Sequence, residues 1–158
     1  MSNTTIFSIG YGNLSLKNFI ENLQKNDIEI LVDVRSNAFS RFRPEFNKRV
    51  FEIILSEFGI KYIHQPNLGG KPKNEEFYTN GKLDYDKLRK SIPYLQGIEY
   101  LEAGLSFNYR MAVMCSELDY KDCHRYNLIG EDMVKRGWQV LHINKLGKTE
   151  PHQQIGLF

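Results

Sequence analysis

Strand-like and helix-like apolar patterns alternate along this chain, and that alternation limits the possible folds more than any other feature. Thr5–Ile9 reads as a strand, broken by Gly10-Tyr11-Gly12. Ser15 is placed to cap a helix whose apolar residues Leu16, Phe19, Ile20 and Leu23 recur at the spacing of one helical face. Ile28–Val34 is a near-continuous apolar run, the pattern of a strand covered on both faces. Helical spacing returns at Phe51, Ile54, Leu55 and Phe58; Gly59 ends that helix, and 60–64 forms a third strand. Residues 85–91 and 94–105 read as helices separated by Pro93. A fourth strand at 109–114, a helix at 123–136 and a fifth strand at 138–143 follow. This order predicts a three-layer, Rossmann-like α/β sandwich, a mainly parallel sheet of about five strands with helices on both faces.

The 158 residues suffice for one α/β domain, 1–158, with a polar tail over 145–158. No apolar run approaches the roughly 18 residues of a membrane helix, and no basic segment leads into an apolar core at the N-terminus. Neither a membrane association nor a signal peptide is expected. Two cysteines, one beside a histidine, make no disulfide framework, so a cytoplasmic location is expected. The connection 65–84 is long for a compact domain and reads equally as a lid or as a contact with another subunit. The sequence does not set the oligomeric state.

In a parallel sheet every strand-to-helix loop opens on the same edge, where ligands bind. The loops carrying Tyr11, Asp33 to Arg43, His64 and Cys115 to Arg125 are therefore expected to converge. The most informative of these is Cys115-Ser-Glu-Leu-Asp-Tyr-Lys-Asp-Cys-His-Arg125. With Asp122 as N-cap, Cys123, His124 and Arg125 fall in the first helical turn, where free N–H groups favour an anion and a thiolate. The competing readings are a cysteine packed under the helix and a salt bridge from Arg125 to Asp119, Asp122 or Asp33. Cys115 reads either as a nucleophile with His124 or His64 as its base, or as a buried strand residue. Asp33 and Glu117 are acid/base candidates, unless they pair with Arg35, Arg41 or Arg125.

Cys115, Cys123, His124 and His64 offer soft ligands, but no close Cys-x-x-Cys pair is present, so neither a metal nor a cofactor is expected. Net charge is +2, too little to require nucleic acid. Between Arg35 and Arg49, however, five basic residues face one acid, Glu45, with Phe39, Phe42 and Phe46 interleaved. That mixture suits a phosphate and a stacked ring, or else a solvated loop anchored by its phenylalanines.

Several blocks in order resemble the bacterial and archaeal family called domain of unknown function 488. They are Ile9-Gly-Tyr-Gly12, Val32-Asp-Val-Arg-Ser36, Ser40-Arg41 with Pro44 and Phe46, and Gly59-Ile60 with Tyr62 and His64. Leu68-Gly-Gly70, Met114-Cys115 with Glu117, and Cys123-His-Arg125 complete the set. Ala38 and Tyr120 depart from it, standing where the family commonly has proline. The resemblance implies an α/β fold and a shared polar site without an established reaction. On that basis Tyr11, Arg35, Ser36, Ser40, Arg41, His64, Gly69, Gly70 and Arg125 are candidate substrate-binding positions. Asp33, Cys115, Glu117, Cys123 and His124 are candidate catalytic ones. A fainter likeness to rhodanese-type sulfurtransferases rests on Val32–Arg35 followed by Met114-Cys115, without their compact active loop.

Three functions fit these residues. One is an enzyme acting on a phosphate-bearing substrate, a nucleotide or nucleic acid. The others are a thiol-dependent sulfur carrier or transferase, and a non-catalytic nucleic-acid-binding module. The expected partner is an anionic small molecule or a nucleic acid.

Overall fold

The computed structural model describes residues 4–153. In chain order its strands are β1 (Thr5–Gly10), β2 (Ile30–Asp33), β3 (Lys61–His64), β4 (Tyr78–Thr79), β5 (Lys82–Leu83), β6 (Met111–Cys115), β7 (Gln139–Ile143) and β8 (Thr149–Pro151). Six of them form one sheet in the order β3-β2-β6-β1-β7-β8, with β8 antiparallel to β7 and the others parallel. The sandwich expected from the alternating pattern is therefore present. One strand more is found because the segment after Lys145 turns back through Asn144–Gly147 and pairs with β7. The last residues of that tail, 154–158, lie outside the described residues.

The helices are α1 (Leu16–Lys25), α2 (Lys48–Glu57), α3 (Tyr85–Arg89), α4 (Ile92–Ser106) and α5 (Glu131–Lys135), the last preceded by a π-helical turn at Arg125–Gly130. Ser15 caps α1 as expected, its Oγ accepting the Asn18 N–H. Pro93 sits inside the first turn of α4, where its missing N–H costs nothing. Phe19, Leu23, Phe51 and Leu55 of α1 and α2 pack on one face of the sheet, and Ile98, Leu101, Leu105 and Met133 of α4 and α5 on the other. Successive strand residues point to opposite faces. Leu31 and Met114 accordingly join the first layer, and Val32, Val113 and Cys115 the second.

Within 65–84 the chain forms a small hairpin of β4 and β5. Asn80 and Gly81 at its tip have φ of 54° and 78°, the left-handed geometry an Asn-Gly hairpin turn requires.

The element that positions the site is β6. It lies between β2 and β1, whose following loops run to α1 and α2 on one face, whereas its own loop runs to α5 on the other. That divergence is a topological switch point, where an α/β sheet opens a crevice. Register levels the strand ends there: Gly10 pairs with Cys115, and Asp33 with both Met114 and His64.

Candidate functional site

A cavity of about 670 Å³ opens at this switch point. Tyr11, Arg35, Ser36, Asn37, Phe39 and Ser40 line one side, Gly70, Lys71, Lys73 and Tyr85 another, and Cys115, Ser116, Glu117, Cys123 and His124 the floor. Loops far apart in sequence thus converge as the parallel arrangement requires.

The floor is built by the end of β6 and the start of the next helix. Cys115 is 1% exposed and Cys123 3% exposed, and their Sγ atoms meet as a disulfide pair, with Cα atoms 7.6 Å apart. That spacing exceeds the roughly 4.4–6.8 Å over which disulfides usually link two Cα atoms. The sulfurs, the carboxylate of exposed Glu117 and the cavity share one small volume, all three ligand atoms lying within 4.8 Å of one another. His124 Nδ1 lies 3.6 Å from Cys123 Sγ. Burial holds the His124 imidazole below its ordinary range, so it is neutral at pH 7.

The side chain of Asp122, the expected N-cap, lies outside the described residues; just before His124, which holds the N-cap position of the π-helical turn, comes Cys123. Its φ and ψ of −125° and 149° are extended, its carbonyl accepts the Asn127 N–H, and its Sγ accepts the Arg125 N–H at 3.5 Å. The preceding Tyr120–Asp122 turn is capped by Asp119, whose carboxylate accepts the Lys121 N–H. It is held from behind by the Tyr120 ring, stacked on His142 at 4.2 Å, and by the Tyr120 hydroxyl donated to Glu150. A tyrosine thus anchors this turn where the family's proline would stiffen it.

Several candidate binding residues are cross-braces. Asp33 is fully buried, grips the Arg35 guanidinium through both carboxylate oxygens, and accepts the Tyr62 hydroxyl. Burial lowers the Arg35 pKa, but the Asp33 hydrogen bonds and charge more than offset this and raise it. Burial and the Asp33 charge push the Tyr62 phenol up. Arg35 also donates to the Phe46 carbonyl and the Tyr11 hydroxyl, so its fork is occupied although its edge lines the cavity. Tyr11 stacks on Phe46 at 4.2 Å, and Arg43 covers both rings while donating to the Gly12 and Leu14 carbonyls. His64 Nε2 meets the Arg35 carbonyl at 2.7 Å, and the residue is not part of the cavity lining. Ser40 Oγ accepts the Arg43 N–H.

Arg125 is 0% exposed and lies beneath the floor, donating to the carbonyls of Glu117 and Leu118 and to Ser8 Oγ. Burial lowers its pKa to about 10, which leaves it charged at pH 7. It therefore shapes the 115–118 loop and does not reach into the cavity. Arg41 is exposed outside the lining.

The two glycines of Leu68-Gly69-Gly70 act through contact. A Cβ on Gly69 would stand 2.2 Å from Ser36 Oγ, and one on Gly70 would stand 2.9 Å from the His124 ring. Ser36 Oγ in turn accepts the Lys71 N–H at 2.8 Å. These contacts draw the 65–84 connection over the site and bring in Lys71 and Lys73, the cations that sequence reasoning missed. The available signal was the Lys71-Pro72-Lys73 segment directly after the glycine pair.

Among the described residues no helix is long and apolar enough to cross a membrane. Comparison finds no curated protein and no solved structure that matches this chain. A family match does exist, to the one described as domain of unknown function DUF488, over residues 15–130. That stretch takes in the cavity floor, both glycines and the Asp33–Arg35 brace, and it shows that the chain belongs to the DUF488 family.

Proposed function

We propose that this protein is an enzyme acting on a phosphate-bearing substrate, a nucleotide or nucleic acid, bound in the switch-point cavity. One observation carries the reading: Lys71, Lys73 and the edge of Arg35 share a single cavity with Glu117, His124 and two cysteines. Its volume of about 670 Å³ suits a nucleotide-sized ligand. The lysines hold the phosphate as point charges, since the guanidinium forks of Arg35 and Arg125 are already engaged. Phe39, 63% exposed on the rim, and the neighbouring Phe42, 87% exposed, offer surfaces on which a base stacks. The Glu117 carboxylate, exposed and touched by Ser116 Oγ, moves the proton, with His124 assisting.

A panel of nucleoside phosphates and short single-stranded oligonucleotides, scored for binding and then for turnover, tests this. Glu117→Gln is expected to lower kcat about 10²–10⁴-fold with little change in KM. Lys71→Ala/Lys73→Ala is expected to raise KM. Full turnover in both variants on an identified substrate would reject the assignment. Salt-dependent binding without turnover would leave the non-catalytic nucleic-acid-binding module.

The contact between Cys115 and Cys123 favours a second reading, thiol-dependent sulfur transfer. It predicts that the reduced protein gains the mass of one sulfur atom on incubation with thiosulfate. It also predicts that Cys115→Ser and Cys123→Ser differ in this gain. An unchanged intact mass removes it.

A further inference from the structure

We infer that Cys115, Cys123 and Glu117 form a three-ligand site, open to the cavity, for a thiophilic divalent cation of the zinc class. The sequence spacing argues against such a site because the two cysteines are eight positions apart. The fold removes that objection. Cys115 ends β6 and Cys123 opens the next helix, and the loop between them returns the second sulfur to the first. The two sulfurs and a Glu117 oxygen fall within 4.8 Å of one another, a volume that one ion can span. Ligands at about 2.0–2.3 Å from zinc stand about 3.3–3.8 Å apart around a tetrahedron. His124 Nδ1, 3.6 Å from Cys123 Sγ, borders the cluster beside its three ligands.

The donor set selects the metal class. Two thiolates and a carboxylate suit zinc or cobalt, whereas magnesium and calcium require oxygen shells. Charge also balances. Two thiolates and one carboxylate bring three negative charges, the ion supplies two positive ones, and the Arg125 guanidinium hydrogen-bonded beneath Glu117 supplies the third. The Arg125 N–H donated to Cys123 Sγ supports a thiolate there. Both cysteines and Glu117 line the cavity, which gives the ion a route in and a side facing substrate. Gly70 packs against the His124 ring and sets its orientation.

The metal site rests on the same cavity as the proposed function: with the ion bound, Glu117 is a ligand and proton transfer falls to His124. Metal retention is measured without turnover, so either assignment can fail alone. The test is an anaerobic titration of reduced, chelator-treated protein with cobalt(II), then with zinc(II). One ion per chain is expected, with a sulfur-to-cobalt charge-transfer band and tetrahedral visible bands that zinc abolishes. Cys115→Ser and Cys123→Ser are expected to lose at least about 100-fold in affinity, and Glu117→Gln about 10-fold. Lys17→Ala, at an exposed position of α1 outside the cavity, is expected to bind as the parent does. Absence of the charge-transfer band, or equal affinity in the serine variants, would overturn the assignment. If the serine variants do not fold, the parent protein with its Cys115–Cys123 disulfide closed decides. Loss of binding on oxidation supports the site, and retained binding refutes it, because a closed disulfide leaves no thiolate to ligate.

Discussion

Asp33 pairs in register with Met114, one residue before Cys115, so strand alternation sends the Asp33 carboxylate and the Cys115 sulfur to opposite faces of the sheet. The two groups are close along the chain ends yet belong to different structures. The carboxylate anchors Arg35 and Tyr62, whereas the sulfur faces Cys123. Asp33→Ala is therefore expected to destabilise the fold by about 3–5 kcal/mol, the usual cost of leaving one partner of a buried ion pair uncompensated. Urea denaturation measures it. A loss below about 1 kcal/mol would mean that the pair does not hold β2 to its loop.

Gly70 fixes His124 by proximity. A methyl group there would meet Cγ and Nδ1 of the ring at 2.9 Å, so either the 65–84 connection or the imidazole must shift. Gly70→Ala is expected to cost about 1–3 kcal/mol and to move the His124 ring resonances in an NMR spectrum. Unchanged resonances with unchanged stability would show that the loop does not press on the ring.

The fold was readable because its determinants are local. Apolar runs at Ile28–Val34 and Met111–Met114 and helical spacing in α1 and α2 each name an element without help from the rest of the chain. The convergence of Tyr11, Arg35 and Cys115 followed from parallel strands alone. Side-chain roles were less legible, because they depend on which face a residue points to and on what else competes for it. Arg35 and Arg125 carry the charge expected of anion ligands, yet unpaired carboxylate and carbonyl oxygens inside the fold claim them first. The strand β8 escaped notice because two of its three residues are Glu150 and Pro151, poor strand formers tolerated at a sheet edge. Lys71 and Lys73 reach the site through a backbone contact with Ser36, a tertiary relationship no periodicity announces.

If Lys71 and Lys73 contact phosphates, binding of a single-stranded oligonucleotide must depend on salt through both. Each contact contributes about 0.7 to the slope of log affinity against log salt concentration. The double variant Lys71→Ala/Lys73→Ala is therefore expected to flatten that slope by about 1.4. Arg41→Ala, outside the cavity lining, tests the basic loop separately. An unaltered slope in the lysine variant, with binding retained, would move the phosphate contact from the cavity to the Arg41 loop.

Acid is expected to weaken the fold through His142. This residue is fully buried between Ser8, the Tyr120 ring and His152, whose far side faces Glu131, with Arg125 also near. Burial first, then the charges of His152 and Arg125, lower its pKa to about 3. Above its ordinary value of 6.5 the imidazole is neutral in both the folded and unfolded states, and the full stability is present. Below 6.5 the unfolded chain takes up a proton that the folded chain refuses, so stability falls with pH until the folded group titrates near 3. One proton corresponds to about 1.4 kcal/mol per pH unit, or about 2 kcal/mol between pH 6.5 and 5. His152, also shifted downward by burial, acts in the same direction. Urea midpoints across pH 4–8 are expected to show this slope in the parent protein and a shallower one in His142→Gln, which is less stable at pH 7.5 but does not titrate. A slope that survives the substitution intact would place the acid-sensitive group elsewhere.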